Sequence, residues 1–272
     1  MHRGKLDGSK QAGQVLQRFR LRLPASVLTG IDYIDEVPDL NEKEVKQLKD
    51  LLYQTEVDKF LEEAEEATKM GSVDWDIASK AAHIHYYRTY FEKENESEGT
   101  KASEWIIRAL NMNPLHVDLT MKYAAILGTN EEYDAAAAIL ERLILWPDAP
   151  VLIKQWLGYY LRFLPYRLDE SIQYSVEYHK LFPDESDTFF NISYAYGHKY
   201  CNELRASGKI EDLQSDNHLK AISNLRDGLR NQPKMAETVR KWIDSNTPLE
   251  CLKNDKDFLS LVGLPNVPAG SK

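Results

Sequence analysis

Tyr123-Ala124-Ala125-Ile126-Leu127-Gly128-Thr129-Asn130-Glu131-Glu132-Tyr133-Asp134-Ala135-Ala136-Ala137-Ala138-Ile139-Leu140-Glu141-Arg142-Leu143-Ile144-Leu145-Trp146-Pro147 decides the fold. An apolar helix with an aromatic residue runs into a short polar turn. An Ala-rich helix follows, built from the strongest helix former, and a proline closes it because proline has no amide hydrogen to continue the ladder. The same order recurs from Asp74 onward: aromatic-rich helix, turn, Ala-rich helix, proline. The closing prolines are Pro114, Pro147, Pro183 and Pro233, spaced by 33, 36 and 50 residues. A period of about 34 residues marks stacked helix pairs, and the last interval requires an insertion.

Counting back from each proline gives the inner face of the second helix. Twelve residues before stand Ala102, Ala135, Ser171 and Ala221; eight before, Ile106, Ile139, Ser175 and Leu225; four before, Leu110, Leu143, His179 and Leu229. Small residues recur where helices cross closely, and the larger ones continue one helical face. Upstream, Asn41 to Met70 carries Val45, Leu48, Leu52, Val57, Phe60, Leu61, Ala64 and Ala67 at helical spacing between Pro38 and Gly71. That predicts one long helix, or two with a break near Thr55. The acidic run Glu62-Glu63-Ala64-Glu65-Glu66 reads as a solvated helix face.

The 272 residues carry 34 basic and 43 acidic side chains, a net charge of -9, and offer nucleic acid no general attraction. Residues 1–24 differ, with Arg3, Lys5, Lys10, Arg18, Arg20 and Arg22 against Asp7, a local charge of +5. Targeting peptide or membrane-surface contact are weighed there against a poorly ordered terminus, and the last is favoured. No apolar run approaches the ~20 residues that cross a bilayer, and the N-terminus has no secretory-type apolar stretch. Cys201 and Cys251 fall in different helical segments, so neither a disulfide framework nor a zinc knuckle is expected, and a reducing, cytoplasmic setting is. The sequons Asn95-Glu96-Ser97 and Asn191-Ile192-Ser193 read as chance.

The pattern resembles the tetratricopeptide repeat family, whose first helix has a large residue followed by a small one. Tyr123-Ala124, Leu157-Gly158 and Tyr196-Gly197 stand in that place, and Tyr133-Asp134-Ala135-Ala136 resembles the turn into the second helix. Trp75 to Phe91 fits poorly, and the Glu92 to Gly99 loop is longer than the family turn. The stretch Trp242-Ile243-Asp244 followed by Leu249 to Leu261 is similar to the closing segment of bacterial members, with Phe258 and Leu261 covering the end of the stack. The resemblance implies an all-α right-handed superhelix of antiparallel helix pairs. It would be organised as an irregular basic segment and linker (1–40), a repeat domain with its cap (41–263) and a flexible tail (264–272).

In that family the first helices line a concave, peptide-holding surface. The matches at Leu157-Gly158 and Tyr196-Gly197 then place Gln155, Tyr159 and Arg162 on one groove helix and Asn191, Tyr194 and His198 on the next, with Asp118, Met121 and Ala125 on the earlier face. Aromatic anchors beside hydrogen-bonding groups suit an extended peptide; the alternative is that Tyr159 and Tyr194 pack against neighbouring repeats. The Lys and Asn pair with which some members clamp chaperone tails is absent at Gln155 and Tyr159, which argues against that ligand. His83-Ile84-His85 reads as packing or a solvated face and not as a metal site, since i and i+2 lie on different sides of a helix. With no phosphate loop, His-Glu-x-x-His, Gly-x-Ser-x-Gly or Cys-x-x-Cys motif, the sequence supports no enzyme, cofactor or metal. The expected function is binding of a protein or peptide segment. A structural scaffold or homo-oligomeric assembly subunit is the alternative, and a small-ligand sensor or enzyme around Arg162 a more distant one.

Overall fold

A computed structural model describes residues 46, 49–50, 52–89, 91, 96–147, 149–208, 215–244 and 247–263. The basic segment and linker 1–40, the sequon asparagine Asn95 and the tail 264–272 lie outside the described residues. Among the described residues the protein is 78% helix, with no strand. Helices pack against neighbours in sequence order, and the chain divides into two compact units, Met1–Glu132 and Tyr133–Lys272.

The first unit holds α1 (Thr55–Lys69), α2 (Trp75–Thr89), α3 (Glu96–Met112) and α4 (Val117–Thr129). The break foreseen near Thr55 falls at Gln54, whose backbone is extended at φ -72° and ψ 144°. Along α1, Leu61 and Ala64 are buried while Glu62, Glu65 and Glu66 are exposed, the solvated face read from the sequence. Gly71, at φ +67°, ends the helix in the left-handed region. Helix α3 starts at Glu96, so Gly99 belongs to a helix and not to the long loop expected there; Asp-free and Glu-rich at its start, the segment suits a helix N-terminus. Helix α2 packs on α1, α3 and α4. Three of its buried side chains, His83, His85 and Arg88, have charged or carbonyl partners, while His85 Nε2 is buried without one. His83 stands 2.6 Å from the Ser79 carbonyl and 2.6 Å from Asp118, His85 stands 2.7 Å from Glu98, and Arg88 donates to the Leu52 carbonyl and to Asp58.

The second unit holds α5 (Tyr133–Ile144), α6 (Leu152–Leu161), α7 (Leu168–Leu181), α8 (Asp187–Ser207), α9 (Asp216–Asn231), α10 (Ala236–Lys241) and α11 (Lys256–Leu261), with 3-10 turns at Pro233–Met235 and Glu250–Asn254. Each of α5 to α8 packs on its successor, and α6 also reaches α8. The prolines do what was expected of them: Pro114, Pro147, Pro183 and Pro233 follow α3, α5, α7 and α9. Ser171, Ser175, Ala221 and Leu225 are buried as counted back from them. In α5 the buried set is Ala136, Ala137, Leu140 and Leu143, with Ala135 and Ile139 only half-buried, a phase slip of one residue.

At Leu157-Gly158 the expected close crossing is explicit. The Ser171 hydroxyl donates to the Gly158 carbonyl at 2.6 Å, and a Cβ on Gly158 would stand 2.2 Å from Ser175 Oγ. Ionic ties hold the surrounding helices: Arg167 pairs with Glu141 and Glu170, Lys154 with Glu177 at 2.6 Å, and Lys199 with Asp169 at 2.5 Å.

One expectation is corrected. Cys201 in α8 and Cys251 in the second 3-10 turn form a disulfide across 50 residues of sequence, with Cα atoms 5.6 Å apart, within the span such bonds require. The two cysteines lie in different helical segments, as read. The chain after α9, however, folds back along α8, and sequence separation gives no sign of that. Phe258 in the same closing segment is buried, Leu261 half-buried.

Candidate functional site

Helix α6 is short because Pro165 cannot continue it, and Arg162 caps its C-terminus. Spacing of four and three residues puts Gln155, Tyr159 and Arg162 on one face. Helix α8 runs far longer, to a left-handed Gly208 at φ +66°, and spacing of three and four puts Asn191, Tyr194 and His198 on one of its faces. Since α6 packs on α8, residues from both helices meet.

The meeting point is the Arg162 guanidinium. Its carbon lies 4.3 Å from the Tyr159 ring centre, 4.9 Å from Phe163, 4.9 Å from Tyr194 and 5.8 Å from Trp242. Its Nη1 donates to Asn191 Oδ1 at 2.6 Å, and His198 Nδ1 donates to the Arg162 carbonyl at 3.4 Å. The rings also hold one another: Phe163 stacks on Tyr133 at 4.2 Å, and Tyr194 meets Phe163 at 5.3 Å and Trp242 at 5.2 Å, tilted or edge-on. A guanidinium suits this place because it is flat, weakly hydrated and attracted to ring faces, most of all where water is excluded. Burial holds His198 below its ordinary pKa, partly offset by the bond to the Arg162 carbonyl, so a neutral ring is favoured beside the arginine.

Of the six residues that the resemblance singles out, five are buried: Gln155, Arg162, Asn191, Tyr194 and His198. Tyr159 is half-buried, as is Phe163. Tyr159, Arg162, Phe163, Asn191, Tyr194 and His198 form one cluster rather than a row of side chains held out to solvent. Gln155 Oε1 is buried without a hydrogen-bond partner. Asn191 is 4% exposed and bound to Arg162, so its sequon cannot accept a glycan in the folded protein. On the earlier face, Met121 and Ala125 are buried. Asp118 is engaged by His83 and by Lys122 at 2.5 Å, and Lys122 lies over the rings of Tyr86 and Tyr87.

Sequence reasoning missed Trp242 and the role of Phe163. Phe163 follows Arg162 directly and was legible as part of the aromatic run Trp156 to Tyr166. Trp242 reaches the cluster from beyond α10, and no spacing signal connects it with Arg162.

Chemically, the cluster offers ring faces and edges, one enclosed cation and one unmet acceptor. Such a set can hold an apolar or aromatic side chain and accept a hydrogen bond from a backbone amide. No protein-family model matches the chain, and no curated protein matches it.

Proposed function

We propose that this protein recognises a segment of another protein at the Arg162 cluster, using α6 and α8 as the groove-lining helices of antiparallel, tetratricopeptide-like pairs. The observation that carries the reading is Gln155 Oε1, a buried acceptor with no partner, one helical turn from the half-open Tyr159. An unmet buried carbonyl costs about 1–3 kcal/mol, and an extended peptide carries the N–H groups that would satisfy it. Tyr159 and Phe163 supply the aromatic contact. The reading assigns no catalytic role and no cofactor, and it places the protein in the cytoplasm. There a disulfide such as Cys201–Cys251 would be redox-responsive and not a permanent staple.

The test is a displayed random-peptide library panned against the protein in oxidising and in reducing buffer, with the enriched peptide then titrated against variants of equal helicity. Tyr159→Ala and Gln155→Leu should each weaken binding at least tenfold. No enrichment in either buffer, or binding indifferent to both substitutions, overturns the reading.

A second reading, assembly through the outer surface, draws on exposed apolar side chains at the ends of α5 and α7. Leu145 is 82% exposed and Leu181 59%, with Trp146 and Phe182 beside them. Monomeric surfaces avoid large contiguous apolar patches. A mass above that of one chain in light scattering, abolished by Leu145→Ser with Leu181→Ser, would favour this reading.

A further inference from the structure

Four residues of α8 at spacings of three, four and four, Tyr194, Gly197, Cys201 and Arg205, lie on one helix face, and each is contacted by Trp242 or by residues between Pro248 and Leu252. Tyr194 meets the Trp242 ring at 5.2 Å. Gly197 lets Leu249 settle on the helix backbone, since a Cβ there would stand 3.1 Å from Leu249 Cδ2. Cys201 is bonded to Cys251, and Arg205 donates to the Pro248 carbonyl at 3.0 Å. Trp242 and residues 247–252 thus form a strap on α8, with Trp242 over Arg162 at one end and the disulfide and the Arg205 bond towards the other.

The strap has little hold of its own. Helix α10, which leads into Trp242, has 6 residues, and the 3-10 turn that carries Cys251 has 5, both far below the length at which a helix sustains itself. Ile243, Leu249 and Leu252 are its buried apolar anchors on this stretch. The covalent link therefore governs how often the strap lifts.

We propose that Cys201–Cys251 is a redox latch: oxidised, it keeps Trp242 over the Arg162 cluster, and reduced, it lets the strap lift and opens the cluster to a partner. This rests on that cluster being the binding site. The reductant is a cellular thiol of the glutathione or dithiol class. Cys201 is fully buried while Cys251 is half-buried, so the incoming thiolate attacks Cys251 Sγ. The S–S bond breaks with its electron pair on Cys201 Sγ, which takes up a proton. A second thiolate attacks the outer sulfur of the mixed disulfide and releases Cys251, which is protonated in turn. Two thiols are oxidised to one small-molecule disulfide, and the protein gains two thiols. Burial of the leaving Cys201 sulfur slows the first step, which protects the latch from chance reduction.

The test reads the accessibility of Arg162 without a partner. Phenylglyoxal labelling, mapped by peptide mass, is compared in the oxidised protein, in Cys201→Ser with Cys251→Ser, and in Trp242→Ala with its disulfide intact. The exposed Arg230 serves as reference. Arg162 should be protected in the oxidised protein and labelled at least tenfold faster in both variants, with helicity and Arg230 unchanged. Amide exchange across 242–252 should accelerate by a similar factor in dithiothreitol-reduced wild type, which covers a serine variant that folds poorly. Equal Arg162 protection with and without the disulfide overturns the latch, and so does general loss of helicity in reduced wild type. Continued protection in Trp242→Ala overturns the assignment of Trp242 as cover. Because no partner enters, failure here is distinct from failure of the peptide selection.

Discussion

At the scale of single residues, the side chains that matter most are those that leave no room or leave something unmatched. Gly158 belongs to the first kind. A methyl group there would stand 2.2 Å from Ser175 Oγ and 3.3 Å from the Ser171 backbone carbonyl. Serine can turn away, but the carbonyl cannot without moving α7. Gly158→Ala is expected to destabilise the protein by about 1–3 kcal/mol, as overpacked cores do, read as a lower urea midpoint at unchanged slope. The buried His85–Glu98 pair belongs to the second kind. Burial alone would raise the Glu98 carboxyl, but the hydrogen bond and charge of His85 outweigh it and hold the group below its ordinary range. Glu98→Ala leaves His85, 2% exposed, without its carboxylate and should cost about 3 kcal/mol. Gly99→Ala, with open space around it, should cost nothing and serves as the control.

At the scale of elements, the legible parts were those set by local rules. Proline stops α3, α5, α7 and α9 because of its missing amide hydrogen, and that is written in the residue itself. The small residues Gly158, Ser171 and Ser175 announce a close crossing in the same way. The phase of α5 was one residue off because Ala135, Ala136, Ala137 and Ala138 look alike, and only packing selects which of them faces inward. Five of the six residues expected at a groove, Tyr159, Arg162, Asn191, Tyr194 and His198, meet around one guanidinium, while Gln155 lies two turns earlier on α6. Spacing does not say whether that face is open or covered. The covering residue, Trp242, and the bond between Cys201 and Cys251 both depend on a long-range fold-back, whose cause is apolar burial of Leu249 and Leu252 and not any periodic pattern. The same contrast predicts dynamics. Amide exchange should be slowest in α8, whose Phe190 to Cys201 stretch is almost wholly buried, and fastest in α10 and the Glu250–Asn254 turn, where few residues share the cost of opening. Exchange followed by mass spectrometry checks the order, and a slow α10 in the reduced protein would contradict it.

At the scale of the whole molecule, the polar groups described one by one act together through pH. Asp118 is pushed upward by burial, but the Lys122 charge and the His83 hydrogen bond outweigh this and hold it far below the usual carboxylate range. Asp255, buried as well, is held low by His218 and by the Phe258 amide, and Glu98 by His85. A carboxyl depressed in the folded state contributes stability at pH values above its unfolded pKa of about 4, and that contribution is lost as pH falls below it. His198 has the same sign for a different reason: burial keeps its folded pKa low, so below about pH 6.5 the unfolded chain takes up a proton that the folded one refuses. Stability should therefore decline in two stages on acidification. A shallow limb below about pH 6.5, at most about 1.4 kcal/mol per pH unit from one group, precedes a steeper one below about pH 4.5 with up to three groups contributing. Urea unfolding at a series of pH values measures both limbs. His198→Gln should remove the shallow limb alone, and Asp118→Asn should lower stability at pH 7 while flattening the steep one. A profile in which either variant runs parallel to wild type would mean that the named group does not carry its limb.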